Sequence, residues 1–353
     1  MNDYSAGLAP KIKSFVAEAG WPRILIGLFL LLLFFVAPFV NVRIDASISD
    51  TIMRFAMNGV MVLAMVPMIQ SGCGLNFGLP LGIIAGLLGA VCSVELEMHG
   101  LAGILTAMAI SVPIAVVFGW AYGQLLNKVK GDEMMIATYV GFSSVAIMCI
   151  MWLVLPFKSS NMVWGYAGKG LRTTISVEEY WQNAIGDIGS FHLGEFFYFP
   201  TGVFLFFALC CVFMSIFMRT KTGTAMTTVG SNPEYARASG VNIDRMRTIS
   251  VILSTVFGGL GIIIYEQCFG FIQLYMGPFS MAFPAVAAIL IGGASVKKAG
   301  IANVVIGTFL FQGILTMTPS VINSMIQTDM SEVIRIIVSN GMILYALTRV
   351  TKG

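Results

Sequence analysis

The sequence predicts an all-α polytopic membrane protein with about ten transmembrane helices, some of them broken. Of its 353 residues, 57% are hydrophobic and only 10% are charged, whereas soluble domains carry about 25% charged residues. Short polar stretches separate long apolar runs, and no low-complexity tract divides the chain. Residues 1–353 are therefore expected to form a single transmembrane domain.

Ten apolar runs account for the helices, because a helix needs about 17–25 apolar residues to cross the hydrocarbon core. The first run looks like a retained span, since the residues before it lack the pattern of a cleaved signal peptide. The predicted spans are 24–40, 55–71, 79–95, 101–126, 133–155, 200–218, 249–266, 282–296, 300–318 and 333–348.

Lys and Arg predict the orientation. An even number of spans places both termini on one side, and the segments on that side hold 14 of the 20 basic residues. The other side keeps Arg43, Arg54, Lys158, Lys169, Arg172 and Arg335. By the positive-inside rule, both termini and the polar segment 219–248 are expected to be cytoplasmic.

The longest segment on the opposite side is 156–199. It could dock a partner outside the membrane, or it could form an ordered cap with Trp and Tyr at the depth of the lipid headgroups. Both interpretations fit its acidic and aromatic residues, which are Glu178, Glu179, Asp187, Glu195, Trp164, Tyr166, Tyr180 and Trp181.

Segment 219–248 is polar and basic, yet it has the signals of a folded element. Asn232 or Ser231 can cap a helix whose first turn holds Pro233 and Glu234, and Gly240 can end it. A short capped helix on a cytoplasmic loop is what a membrane channel needs if another protein is to push on it.

Two stretches are poorly suited to continuous helices. Ser71–Gly82 and Gly270–Pro284 are rich in glycine and proline within apolar surroundings. Backbone that leaves the helix at membrane depth must bond to protein or to cavity water, so paired breaks point to a translocation pathway. Alternatively, the glycines only let helices pack closely.

Few residues within the predicted spans carry chemistry. The six cysteines show no metal-ligand spacing and are expected to be buried hydrophobic residues. The acids Glu95, Glu133 and Glu266 lie near span ends, whereas an ion-coupled carrier usually keeps an ionisable group at mid-depth. The chain has no G-x-x-x-x-G-K-[ST] motif to hold ATP and no catalytic constellation of an intramembrane enzyme.

Three stretches carry a resemblance to the permease subunits of ABC importers, in the group of ribose, simple-sugar and nucleoside permeases that is related to branched-chain amino acid permeases. Gly230–Val241 (GSNPEYARASGV) resembles the family's coupling helix, and Ile291–Gly307 (IGGASVKKAGIANVVIG) is similar to its late glycine-rich signature. Gly131–Thr138 (GDEMMIAT) and Gly74–Gly78 (GLNFG) resemble the nucleoside branch.

The resemblance implies a translocation subunit that is not itself an enzyme and holds no cofactor, because ATP and Mg²⁺ would bind a partner ATPase. It implies ABC ATPase subunits, a second permease that is identical or related, and an extracytoplasmic substrate-binding protein as partners in a bacterial inner membrane. No nucleic acid is expected to bind. The residues expected to couple to the ATPase are Asn232, Glu234, Arg237, Ser239 and Gly240.

One departure from the family pattern concerns the first break. Sugar permeases carry an acidic I-D-L-S-V-G-like motif there, and nucleoside permeases carry a sequence close to L-N-I-G-x-E-G-Q. Here Leu75–Gly82 reads LNFGLPLG, with Pro80 in place of the acid and Gly82 in place of Gln. The departure indicates that this chain is one of two unlike permeases.

The sequence therefore predicts a permease for a sugar, nucleoside or similar small polar solute. Aromatic side chains such as Phe77 could stack on the ring of such a solute. The alternative is an ion-coupled secondary transporter that acts without an ATPase. The residues expected to line the pathway are Gln70, Asn76, Phe77, Gln273, Tyr275, Phe283 and Gln312.

Overall fold

A computed structural model describes residues 21–164, 170–193, 197–326 and 330–350. The described chain is mainly helical. Its α-helices are α1 (Trp21–Val36), α2 (Ile44–Leu63), α3 (Met65–Gln70), α4 (Leu79–Glu95), α5 (Gly100–Lys128), α6 (Glu133–Val154), α7 (Thr201–Arg219), α8 (Lys221–Ser231), α9 (Pro233–Ala238), α10 (Ile243–Phe269), α11 (Gly277–Ile291), α12 (Ile301–Ile326) and α13 (Ser331–Val350).

The predicted polytopic helical fold is confirmed. Eight stretches among the described residues are long and apolar enough to cross a membrane, and α4 and α11 are shorter apolar helices. Together they correspond to the ten predicted spans. The predicted orientation of the termini concerns residues 1–20 and 351–353, which lie outside the described residues.

The centre of the bundle is α10, which packs against α2, α4 and α5. Small residues allow this close approach, as expected where helices pack without a hydrophobic driving force between them. A Cβ atom on Gly82 would lie 2.6 Å from the carbonyl oxygen of Thr255. Close helix packing, the alternative reading of the glycines, therefore accounts for Gly82, which lies inside α4 and not in the break.

Both predicted breaks are present, but each is shorter than predicted, because 79–82 and 277–284 are helical. The first separates α3 from α4 at 71–78, and the second separates α10 from α11 at 270–276. The two breaks contact different segments of the chain. The first touches α8, whereas the second contains the strand β4 (Phe271–Gln273), which pairs antiparallel with β1 (Thr174–Ser176).

The described part of 156–199 is folded onto the helices. Besides β1, it contains the strands β2 (Phe191–Leu193) and β3 (Phe197–Phe199), which pair antiparallel. Trp181 is buried, and the Glu95 carboxylate accepts hydrogen bonds from the backbone N–H groups of Lys158 and Ser159 at 3.0 to 3.2 Å. Tyr166, Lys169 and Glu195 lie outside the described residues.

The second span begins earlier than the sequence predicts, at Ile44 and not at 55. Its first turns are polar, but tertiary contacts and backbone carbonyls satisfy them. Ser49 Oγ donates to the carbonyl of Tyr198 at 2.6 Å, and Thr51 Oγ1 donates to the carbonyl of Ser47 at 2.8 Å.

Candidate functional site

The segment 219–248 forms two short helices, α8 and α9, between the long helices α7 and α10. The predicted capped helix is confirmed as α9. Asn232 is its N-cap, with Oδ1 accepting from the backbone N–H of Tyr235 at 3.0 Å, and Pro233 occupies the first turn. The sequence did not predict that α8 would be a helix as well.

Helix α9 presents almost its whole surface to solvent. Only Ala236 is buried, while Glu234 and Arg237 are exposed and Tyr235 is 62% exposed. Ser239 is exposed after the helix, and Gly240 takes the left-handed conformation at φ 78° with open space around its Cα. The five predicted coupling residues thus lie together on one accessible projection, and their role in coupling stays a prediction.

The end of α8 touches the first helix break directly. A Cβ atom on Gly72 would lie 3.0 Å from Gly230 Cα, and one on Gly230 would lie 2.8 Å from Gly72 N. Nothing larger than glycine fits this backbone contact without displacement. The coupling segment and the broken helix therefore meet without intervening side chains.

A buried polar cluster joins the same break to α6 and α10. The Arg247 guanidinium of α10 forms an ion pair with Glu133 at the start of α6 and donates from Nε to Cys73 Sγ at 3.3 Å. Ser71 and Ser250 share a hydrogen bond of 2.7 Å. This cluster was not predicted, because no local pattern in the sequence pairs Arg247 with Glu133, 114 residues away.

A cavity of about 770 Å³ lies between the first break, the start of α6 and the α8–α9 segment. Its wall includes Cys73, Glu133 and Arg247 from the polar cluster and Gly230 from α8. The only predicted site residue in its wall is Arg237 of α9.

Asn76, predicted to line the pathway, is fully buried in this conformation. Its Nδ2 donates to Ser254 Oγ at 2.7 Å, and its Oδ1 accepts from the Tyr122 hydroxyl at 3.3 Å. Ser254 in turn donates to the carbonyl of Ala64 at 2.6 Å. These bonds tie the first break to α5, α10 and the junction of α2 with α3.

The predicted aromatic residues Phe77 and Phe283 come together, with ring centroids 6.3 Å apart. Two aromatic residues that were not predicted complete the group. Phe142 of α6 lies 6.3 Å from Phe283 and 4.9 Å from Phe279 of α11. These four rings, the aromatic cluster, are partly exposed and join the first break to the helix that follows the second.

The remaining predicted pathway residues are spread along the molecule. Gln70 ends α3, and its Nε2 donates to the carbonyl of Ala299. Tyr275 lies in the second break, near Gln273, and its hydroxyl donates to the carbonyl of Leu171 at 3.1 Å. Gln312 is buried within α12. Their role as pathway residues stays a prediction.

Glu266, one of the three acids that lie near span ends, has no partner for its carboxylate in the described part of the chain. It is fully buried in α10. Since an unpaired buried charge is costly, a neutral side chain would suit this position better.

Several curated proteins are similar to this chain. A nucleoside ABC transporter permease protein (NupB) of Lactococcus lactis subsp. cremoris is 21% identical over 239 residues, which are 63% of this chain and 60% of the relative. A tyrosine transport system permease protein of Clostridioides difficile is 24% identical over 191 residues, or 53% of this chain and 64% of the relative. The similarity thus spans less than two thirds of either relative.

A third relative is matched over more of its length. A xylose transport system permease protein (XylH) of Escherichia coli K12 is 23% identical over 339 residues, which cover 85% of this chain and 84% of the relative. No solved structure is significantly similar to the chain. Residues 47–346 match the model of the family described as the permease component of branched-chain amino acid transport systems, and because this match covers most of the sequence, the chain belongs to that permease family.

Proposed function

We propose that this chain is the translocation subunit of an ATP-driven importer, which carries a small polar solute with a ring, such as a nucleoside or a sugar, into the cytoplasm. ATP is hydrolysed by separate ABC ATPase subunits that dock on α9. An extracytoplasmic binding protein delivers the solute to the opposite face. The bilayer is a bacterial inner membrane, with both termini and α9 on its cytoplasmic side.

The observation that carries this proposal is the exposed, capped helix α9, joined to a broken span. A six-residue helix with one buried side chain contributes little to the core. A contact with another protein therefore explains better than fold stability why this segment is helical. Because Gly230 touches Gly72, a force applied to α8–α9 reaches the first break through backbone alone. A docked ATPase could therefore move the pathway.

The aromatic cluster supports a solute with a ring. Aromatic rings pair at centroid distances of 4.5–7 Å, and such pairs contribute about 0.5–1.5 kcal/mol beyond the area they bury. Weak stacking of this kind suits a transit site, because tight binding would retain the solute. The names of the similar proteins also fit, since they include nucleoside, tyrosine and xylose permeases.

A second permease completes the pathway in this proposal. Phe142 is 49% exposed in the single chain, so the aromatic cluster is open on one side. Pro80 and Gly82 stand where nucleoside permeases carry an acid and Gln. We infer that the partner is a related but unlike permease that retains the more typical residues.

The test is co-purification of the ATPase encoded beside this chain. Glu234→Arg combined with Arg237→Glu inverts the charges on α9 at a spacing of three residues without changing net charge. The matched control is Glu332→Arg with Arg335→Glu, which inverts an exposed ion pair of the same spacing on α13. We expect the α9 variant to lose the ATPase and the control to retain it.

If the ATPase fails to associate with the wild-type chain, or if the α9 variant still retains it, α9 is an ordinary surface helix. The alternative of an ion-coupled secondary transporter would then predict uptake by the chain alone in liposomes, driven by an imposed proton or sodium gradient. Uptake by that route would contradict the proposal.

A further inference from the structure

The Arg247 guanidinium links three segments of the chain, namely the start of α10, the start of α6 and the first helix break. It lies in the second turn of α10, which directly follows the α8–α9 segment, and only 6% of Arg247 is exposed. Its two partners are the Glu133 carboxylate of α6 and the Cys73 sulfur of the first break. We call this arrangement the Arg247 bridge.

The bridge is stable only while the charges of Arg247 and Glu133 compensate each other. The side chains of Arg247 and Glu133 are 7% and 17% exposed, so opening the pair in place would leave a poorly solvated charge. The Glu133 carboxylate is also fixed by the backbone N–H of Gly131, which donates to Oε2 at 3.1 Å. We therefore expect two discrete arrangements, in which Arg247 is either paired with Glu133 or fully separated from it, and few intermediate distances between them.

The position of the bridge relates it to the first break and to the α8–α9 segment. Cys73, Glu133 and Arg247 all line the 770 Å³ cavity, and the Gly72–Gly230 contact is adjacent to Cys73. Closed, the bridge pins the break against α6 and α10. Movement of α8–α9 pulls on Gly72 and on the start of α10 together, and both movements act on Arg247.

We propose that Arg247 is a positioning residue of a gate at this end of the pathway, which the bridge holds closed and which opens when Arg247 separates from Glu133 and Cys73. This inference rests on the proposed function, in which the ATPase drives α9. Cys73 lines the cavity but is only 2% exposed in the closed state, and opening the gate would increase its exposure. Cys73 is thus a built-in reporter of the gate.

The experiment measures alkylation of Cys73 by N-ethylmaleimide in the full complex in nanodiscs. Cys92, Cys149, Cys210, Cys211 and Cys268 are replaced by Ser, so that Cys73 is the only thiol in this chain. The label on this chain is quantified without nucleotide and after trapping with ATP and vanadate. We expect the rate to change by roughly tenfold between the two states, because labelling follows the open population.

Variants of the bridge residues distinguish a gate from a contact that only stabilises the fold. Arg247→Gln should be labelled rapidly in both states, whereas Arg245→Gln, two residues away and exposed, should behave as the wild type. Glu133→Gln provides a second route to an open bridge if Arg247→Gln folds poorly. The charge exchange Arg247→Glu with Glu133→Arg should restore slow labelling in at least one state, which general destabilisation would not do.

The outcomes distinguish the gate from the proposed function. Absence of the ATPase from the wild-type complex contradicts the proposed function, and the variants in the isolated chain then still test the bridge. If the complex hydrolyses ATP but the Cys73 rate is the same in both states, the gate is overturned and the proposed function stands. Equal rates for Arg247→Gln, Glu133→Gln and Arg245→Gln overturn it as well.

Discussion

Gly72 and Gly230 lie backbone against backbone, so that the first helix break and the last turn of α8 form one mechanical unit. Between them there is no side chain that could yield under load. A displacement of α8 therefore moves the first break directly. The effect of substituting either glycine can also be predicted.

Gly230→Ala should destabilise the protein and reduce ATP-driven uptake. A Cβ atom there would press on the Gly72 amide and the Gln70 carbonyl, and overpacking of this kind costs about 1–3 kcal/mol. The measurement is the thermal unfolding midpoint in detergent, together with uptake in proteoliposomes.

The control is Gly341→Ala, another helical glycine, around which a Cβ atom would meet nothing within 4 Å. Because alanine favours helix by up to about 1 kcal/mol over glycine, this control should leave the midpoint unchanged or raise it. A Gly230→Ala variant that matched the control would show that the two backbones do not touch.

Asn232→Ala should weaken the association with the ATPase without affecting the core. It removes the side-chain cap of α9, which is worth about 0.5–2 kcal/mol of helix stability. We expect less ATPase to co-purify at high salt, whereas Asn232→Asp, which keeps the capping oxygen, should retain it. Equal recovery with Ala and Asp would mean that a pre-formed α9 is not needed for docking.

The sequence predicted the ten apolar helices and the two breaks because both rest on local signals, namely apolar length and clustered glycine and proline. The beginning of α2 at Ile44 could not be predicted, since Ser49 is stabilised by a carbonyl 149 residues away. The early start of α10 is different, because Asn242 caps it locally and Oδ1 accepts from the N–H of Arg245 at 3.0 Å. That signal lay in the sequence.

Individual residues of the site could be predicted from the sequence, but most of their contacts with one another could not. Phe77 and Phe283 were chosen by residue type, but Phe142 joins them only through the packing of α6 beside the break. Arg247 lies in segment 219–248, which was expected to be a polar cytoplasmic segment, yet its side chain is buried against Glu133. No spacing in the sequence relates two residues 114 positions apart.

Asn76→Leu should destabilise the fold, because Asn76 is a buried link and its loss leaves the Tyr122 hydroxyl without an acceptor. The expected cost is about 1–3 kcal/mol, read as a lower unfolding midpoint. Adding Tyr122→Phe should recover part of this loss, since removing both partners leaves no unsatisfied group. If Asn76→Leu alters uptake but not stability, Asn76 faces the solute in another state and acts as a pathway residue.

Phe283→Ala should change solute preference more than it changes maximal uptake. Losing a stacking contact worth about 0.5–1.5 kcal/mol would weaken competition by ring-bearing solutes by roughly two- to tenfold. The assay compares nucleosides with acyclic polyols as competitors of uptake. Phe213→Ala is the control, because Phe213 is exposed on α7 outside the aromatic cluster. Identical competition profiles for the two variants would exclude stacking on the cluster.

Glu266→Gln should preserve uptake and leave stability unchanged or improved. Both carboxylate oxygens of Glu266 are buried without a partner in the described part of the chain, so a neutral amide of the same shape lowers the cost of burial. In an ATP-driven permease this acid carries no proton across the membrane, and uptake should keep its pH profile. An ion-coupled transporter predicts the opposite result, because removing a buried intramembrane carboxylate would abolish coupling. Measuring uptake by Glu266→Gln with ATP, and separately with an imposed proton gradient, decides between the two.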